Sequence, residues 1–240
     1  MHFFTIGVCS SAVMARIVAR VAAAQAWRGV WGLVQLGWGF WAWSVFCAAA
    51  AGAWLTTMLL PGVALRRRAA RAWARCALAL SAIHVRVEGL EHLPGMRSER
   101  RPVPGRAPNT SAVLIVANHA SYVDSILLTA VLPPCFGYAA MRELAGAALI
   151  GAPLRRLGAV FVERADAAGA LEDTGVLEAR ARAGEPLVIF PEGTFRRAPG
   201  LLPFKLGAFV VAAHTGAPII PVALAGTRSL LRCGEWLPRR

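Results

Sequence analysis

An α/β fold with a mostly parallel central sheet flanked by helices, preceded by an apolar helical segment, is the architecture that this sequence predicts. From residue 81 onward, short apolar runs alternate with segments of helix length, and strands that alternate with helices build parallel sheets. The first 87 residues contain neither Asp nor Glu, whereas the remainder carries all 13 acidic residues. No internal repeat is visible, and 240 residues suffice for one sizeable domain plus an appendage, not for two full domains.

Composition narrows the class further. The chain is 57% apolar with a mean hydropathy of +0.52, high for a soluble protein, which argues for membrane contact. Net charge is +13, nearly all from arginine, with Lys205 the single lysine. Such a balance suits nucleic acid, an anionic membrane surface or anionic substrates. Nucleic acid ranks last, because zinc-finger spacing, aromatic RNA-binding strands and a clean basic helix are all missing from the sequence. The five cysteines, Cys9, Cys47, Cys76, Cys135 and Cys233, are scattered without a CxxC pair. They suggest neither a disulfide framework nor a metal site, and a reducing compartment is the default. Cys47 and Cys76 are expected to act as small buried hydrophobes. Met1 to Arg20 lacks a charged stretch ahead of its apolar part and a convincing cleavage site, so it makes a poor signal peptide.

Arg16, Arg20 and Arg28 precede an uncharged run of about 37 residues, Gly29 to Leu65, which Arg66, Arg67, Arg68, Arg71 and Arg75 close. As one helix the run would extend roughly 55 Å at ~1.5 Å per residue, while a bilayer span needs only about 20 residues. It is too long for one perpendicular span and short for two. A re-entrant or surface-lying helical hairpin fits, with arginines at both ends favouring the cytoplasmic side; a single span with an interfacial extension is the second arrangement. Trp27, Trp31, Trp38, Trp41, Trp43 and Trp54 suit the headgroup level. The competing reading is a helix buried in the protein core. The chain divides on this basis into 1–80, a membrane-associated helical segment, and 81–240, the α/β domain.

In that domain, Ile83 to Val87 alternates as a strand does, and Pro94 to Ser111 is a Pro-, Gly- and Arg-rich exposed loop. Strands are expected at Ala112 to Ala117, Cys135 to Ala140, Ala159 to Val162, Pro186 to Phe190 and Pro218 to Leu224. Helices are expected at Tyr122 to Val131, Glu143 to Ile150, Asp166 to Ala183 and Lys205 to His214.

Four segments carry candidate chemistry. Asn118-His119-Ala120-Ser121-Tyr122-Val123-Asp124 follows a buried strand, at the strand end where open α/β sheets place their sites. A carboxylate five residues beyond a histidine can fix its tautomer, leaving the other ring nitrogen to accept a proton. The same segment fits a capping box in which Asp124, three residues after Ser121, merely caps the helix. Gly158 to Arg164 is a short strand ending in Glu163-Arg164, either a solvated edge or a phosphate clamp. In Phe190-Pro191-Glu192-Gly193-Thr194-Phe195-Arg196-Arg197, Gly193 permits close backbone approach and Thr194 can help cradle an anion; a tight turn with a basic tail fits equally. Ile219 to Leu224 is an apolar strand around Pro221-Val222. Lys205, ahead of it in an apolar helix, most simply snorkels.

Taken in order, the four segments resemble the glycerolipid acyltransferase family, which includes lysophosphatidic acid acyltransferases. Its blocks N-H-x4-D, G-x-x-F-x-x-R, F-P-E-G-T and an apolar proline-valine block match Asn118–Asp124, Gly158–Arg164, Phe190–Thr194 and Ile219–Leu224. The match covers about two thirds of the chain, from Val85 onward. The resemblance implies that His119 is a general base oriented by Asp124. A lysolipid hydroxyl would then attack acyl-CoA or acyl-carrier protein directly, with no covalent acyl-enzyme, no metal and no other cofactor. A G-x-S-x-G nucleophile pattern is also missing from the residues themselves. The resemblance further implies acceptor binding by Asn118, Ser121, Gly158, Phe161, Arg164, Glu192, Gly193, Thr194, Arg196 and Lys205, with Arg164 on the phosphate. It places the enzyme at the cytoplasmic face of the inner membrane, with lipid partners and no nucleic acid. Many members carry arginine directly after F-P-E-G-T, where this chain has Phe195 followed by Arg196 and Arg197. The phosphate contact is then shifted by one residue, or the acceptor is another lysolipid such as a lyso-aminolipid. A non-catalytic membrane protein that keeps the fold and a thioester hydrolase are the remaining readings. A further strand is expected beyond Pro238.

Overall fold

Residues 11–93, 112–163 and 167–239 are described in a computed structural model of the chain. The uncharged run breaks only near its end, not at its middle. A single helix, α1 (Ser11–Leu59, 49 residues), carries it, and the break comes at Leu60-Pro61-Gly62, ahead of α2 (Val63–Leu80). Proline has no N–H to continue a helix, and Gly62 takes φ 70°, which a side chain disfavours. The hairpin is therefore unequal, one long apolar arm and one short basic arm. The arms approach closely at Gly52, where a Cβ would lie 2.4 Å from the Trp73 ring. Among the described residues one helix is long and apolar enough to cross a membrane, over Val30–Leu59, and only five of those 30 residues are buried. The core-helix reading fails on that figure, because Trp31, Leu33, Leu36, Phe40, Leu55 and Leu59 are exposed. Cys47 and Cys76 are exposed as well, contrary to the expectation of burial.

The arginines of α2 also bind within the protein. Three of them reach carbonyls at or near helix ends, in addition to flanking the apolar span. Arg66 donates to Leu60 O and Arg156 O (2.9 and 3.2 Å), and Arg67 to Leu157 O and Cys135 O (2.9 and 2.6 Å). Arg71 donates to Ala130 O and Val131 O (3.3 and 3.1 Å). The last carbonyls of a helix have no intrahelical partner and form its negative pole, so a guanidinium there satisfies both needs. Tryptophans do the same from α1. The Trp38 and Trp41 indoles donate to Ser81 O and Leu80 O, at the end of α2.

A five-stranded parallel sheet follows, in the order β3-β2-β4-β1-β5: β1 (Leu114–Ala117), β2 (Gly137–Met141), β3 (Val160–Val162), β4 (Leu187–Ile189) and β5 (Ile219–Val222). Its centre, β1 beside β4, is buried on both faces, as continuous apolar runs require. One face, with Leu114, Val116, Leu187 and Ile189, packs on α5 (Ala167–Arg182) and α6 (Gly207–Thr215). The other, with Ile115, Ala117, Val188 and Phe190, packs on α3 (Asp124–Val131). Outside α3 lies α2, through Ala74 and Leu78 against Ala130, and outside α2 lies α1. Ile83 to Val87 is extended but pairs with no strand among the described residues; Ile83 and Val85 pack against this α2–α3 seam.

The helix expected at Glu143 to Ile150 is two elements, a 3-10 turn (Arg142–Gly146) and α4 (Ala148–Arg156). α4 runs through Pro153, which leaves the Leu149 carbonyl without its usual N–H. The Trp54 indole supplies the missing donor at 3.1 Å.

α2 ends on Ala82 at φ 52°, with the Ile83 N–H returning to Leu78 O. A left-handed conformation costs alanine on the order of 1 kcal/mol relative to glycine. Ala82→Gly should therefore stabilise the fold by about 0.5 kcal/mol after the entropy glycine gains on unfolding, read as a raised Tm in detergent.

Candidate active site

The loop that leaves β1 carries Asn118, His119 and Ala120, and it ends at the start of α3. One oxygen organises it. Asp124 Oδ2 accepts from His119 Nδ1 at 2.8 Å, from the Ala120 N–H at 2.6 Å and from the Ser121 N–H at 2.8 Å. The two readings of Asp124 are thus not alternatives, since the carboxylate caps the turn and holds the imidazole. Asp124 is fully buried. Burial pushes its carboxyl pKa up, but the His119 ring, the nearby Thr227 hydroxyl and the Ala120 and Ser121 amides outweigh it and hold the group below 3.8. A carboxylate only accepts hydrogen bonds, so Nδ1 carries the proton and Nε2 is the basic nitrogen.

Several residues expected at the acceptor are engaged within the scaffold. The Asn118 amide donates to Leu224 O at 3.0 Å and accepts from the Leu224 N–H at 2.6 Å, tying the ends of β1 and β5 together. Ser121 is fully buried, donates to Leu231 O and accepts from the Val123 N–H. Glu192, 4% exposed, accepts the His119 N–H and the Leu202 N–H, each at 2.7 Å. Its carboxylate joins the two loops that leave the adjacent strands β1 and β4. Gly158 ends α4 at φ 77°, and a Cβ there would lie 2.9 Å from the Arg67 guanidinium. Its missing side chain makes room for α2. Phe161 pairs with Ala140 in the sheet and lines neither of the cavities described next. Arg164 lies outside the described residues.

An apolar cavity of about 270 Å³ opens beside His119, Thr194 and Phe195 and reaches Arg67 and Ala70 of α2, with Tyr138, Met141, Leu154 and Leu157 in its walls. Tyr138 shares a 3.1 Å hydrogen bond with Thr129, and burial raises its phenol above the ordinary range, which keeps it protonated. A second cavity, about 440 Å³, lies on the α5–α6 side and takes Gly193 and Lys205 together with Glu163, Glu178 and His214. Phe190 and Ala139 line both. The F-P-E-G-T segment thus turns at Gly193, φ 73°, from one cavity to the other. Arg196 is exposed, while Arg197 is tied to Glu235 at 3.2 Å.

Aromatic contacts around His119 form a group that motif spacing does not reveal. Phe190 stacks on the imidazole (centroids 4.2 Å apart, 21°), Phe195 packs against it at 4.4 Å, and Tyr122 meets Phe195 edge-on at 4.7 Å. Thr227, whose hydroxyl lies near Asp124 without closing a hydrogen bond, and Leu231 come from the segment after β5, where no motif pointed.

A domain model described as Acyltransferase matches residues 84–225. A 1-acyl-sn-glycerol-3-phosphate acyltransferase from Haemophilus influenzae is 29% identical over 59% of this chain and 59% of its own length. The human 1-acyl-sn-glycerol-3-phosphate acyltransferase beta is 33% identical over 60% of this chain and 51% of its own. The chain thus spans roughly half the length of these curated relatives. The crystal structure of the 1-acyl-sn-glycerophosphate acyltransferase from Thermotoga maritima superposes with a TM-score of 0.62 at 21% identity, over 84% of this chain and 80% of that one, and so shares its fold. With more than half of the residues inside the matching model, and with the paired His119 and Asp124 at the carboxyl edge of its sheet, the chain belongs to the Acyltransferase family.

Proposed function

We propose that this protein moves a fatty acyl group from a thioester donor, acyl-CoA or acyl-carrier protein, to the sn-2 hydroxyl of lysophosphatidic acid, giving phosphatidic acid. One observation carries the reading: the Asp124-held imidazole of His119 lines an apolar cavity. His119 Nε2 takes the acceptor's hydroxyl proton as its oxygen attacks the thioester carbonyl. Collapse of the tetrahedral adduct breaks the C–S bond, and the imidazolium returns the proton to the leaving thiolate. Asp124 keeps Nδ1 protonated and stabilises the transient imidazolium. The cavity accepts alkyl chain, and the names of the relatives support the acceptor. The exposed apolar face of α1 would hold this site at the membrane, on its cytoplasmic side, where the lysolipid resides.

A second acceptor class is favoured by Phe195, which sets an apolar ring against His119. Arg196, directly after it, and Lys205 further along would then meet an anionic head group, Arg197 being paired with Glu235, and a lyso-aminolipid is the alternative.

Detergent-solubilised protein, supplied with labelled acyl-CoA or acyl-carrier protein, should convert lysophosphatidic acid to phosphatidic acid. His119→Ala and Asp124→Asn should each lower kcat/KM about a thousandfold, with donor KM little changed. Product from a phosphate-free lysolipid alone would instead assign the second acceptor class, and wild-type-like transfer by His119→Ala would remove the base from the mechanism.

Asp124 also ties stability to pH. Because its folded pKa is depressed, its contribution is fully present above the ordinary value near 3.8 and disappears as pH falls through the lower folded value. The Tm gap between wild type and Asp124→Asn should therefore narrow from pH 6 to pH 3, measured by thermal unfolding.

A further inference from the structure

A histidine that can deprotonate a lipid hydroxyl can equally deprotonate water, and water is far the more abundant nucleophile. An acyltransferase working by direct attack must therefore keep water from the thioester while the acceptor is still arriving. The aromatic group around His119 supplies such a barrier. Phe190, 8% exposed, stacks on the imidazole, half-buried Phe195 packs against it from the loop after β4, and the exposed Tyr122 braces Phe195 edge-on. The His119 side chain is left 14% exposed. Phe195 and Thr194 line the same cavity as His119, so the Phe195 ring forms part of the wall beside the imidazole. No hydrogen bond of its own is available to it, and its contribution is the exclusion of polar molecules from that wall.

We propose that Phe195, braced by Tyr122, is the residue that sets acyl transfer over thioester hydrolysis in this protein. The proposal rests on the acyl-transfer reading given above. In the suppressed reaction, water gives a proton to His119 Nε2 while its oxygen bonds to the thioester carbonyl carbon. The C–S bond then breaks, the thiolate takes the proton back, and a free fatty acid and a thiol leave. Phe195 thus acts as a positioning and specificity-determining residue, because it touches the base and moves no proton.

The test is a partition measurement on the full-length protein in detergent. Acyl-CoA is supplied with and without lysophosphatidic acid, and free thiol, free fatty acid and phosphatidic acid are all quantified. Wild type should release thiol and form phosphatidic acid in near-equal amounts, with little fatty acid. Phe195→Ala should raise fatty acid per thiol released at least tenfold, in a manner that a second change, His119→Ala, abolishes. Phe195→Leu, which restores an apolar cover, should return the ratio most of the way to wild type. Tyr122→Ala, at an exposed position outside the core, should raise the ratio by a smaller factor of about three. If Phe195→Ala and Tyr122→Ala both slow transfer while fatty acid per thiol stays at the wild-type value, the shield is wrong and the transfer reading stands. A wild type that consumes acyl-CoA only to fatty acid, whatever the acceptor, overturns both.

Discussion

Everything at the carboxyl edge of the sheet hangs on Asp124 Oδ2. A single buried oxygen that accepts from an imidazole and two backbone amides fixes the loop, the start of α3 and the ring orientation in one stroke. Three other polar bridges then fasten that unit to its surroundings. Asn118 joins it to the strand-end of β5, Glu192 to the loop after β4, and Ser121 to the chain beyond α7 (Thr227–Leu230). Each bridge joins a side chain to backbone, so it constrains the path of the chain and not just a side chain. Buried polar groups satisfied in this way cost little and confer a unique geometry. The residues are conspicuous in the sequence because of their spacing, but most of their bonding capacity turns inward.

The sheet itself was legible from continuous apolar runs, because a parallel strand buried on both faces needs no alternation. Val85 and its neighbours alternate correctly yet join no strand among the described residues, since periodicity reports a half-buried extended segment and cannot report a hydrogen-bonded neighbour. α4 was obscured by Pro153, whose cost is met by a donor nearly a hundred positions earlier, Trp54. The pairing of His119 with Asp124 was visible as a five-residue interval. The division of Gly193, Thr194 and Lys205 between two cavities was not, because it depends on which way a turn faces. Phe195 was visible only as a departure from the family pattern. Its contact with the base requires the loop after β4 and the loop after β1 to be brought side by side.

The two cavities differ in the groups their walls carry. Beside His119 the walls are mostly apolar, with Arg67 of α2 on one side and Tyr138 and Thr129 satisfying one another. Across Phe190 the second cavity holds charges of both signs, including the His214–Glu178 pair at 2.6 Å.

The arginines of α2 have a consequence for how such a chain can be cut or recombined. Arg66, Arg67 and Arg71 cover carbonyls at the ends of α1, α3 and α4, and Arg67 and Ala70 also roof the cavity beside His119. A domain excised at residue 81 would bare the ends of two helices and open one wall of that cavity. A foreign membrane anchor grafted in its place would restore attachment without restoring either. The hairpin and the sheet domain are in this respect one heritable module, and a transplant that keeps function must carry its guanidinium groups at the same helical spacing.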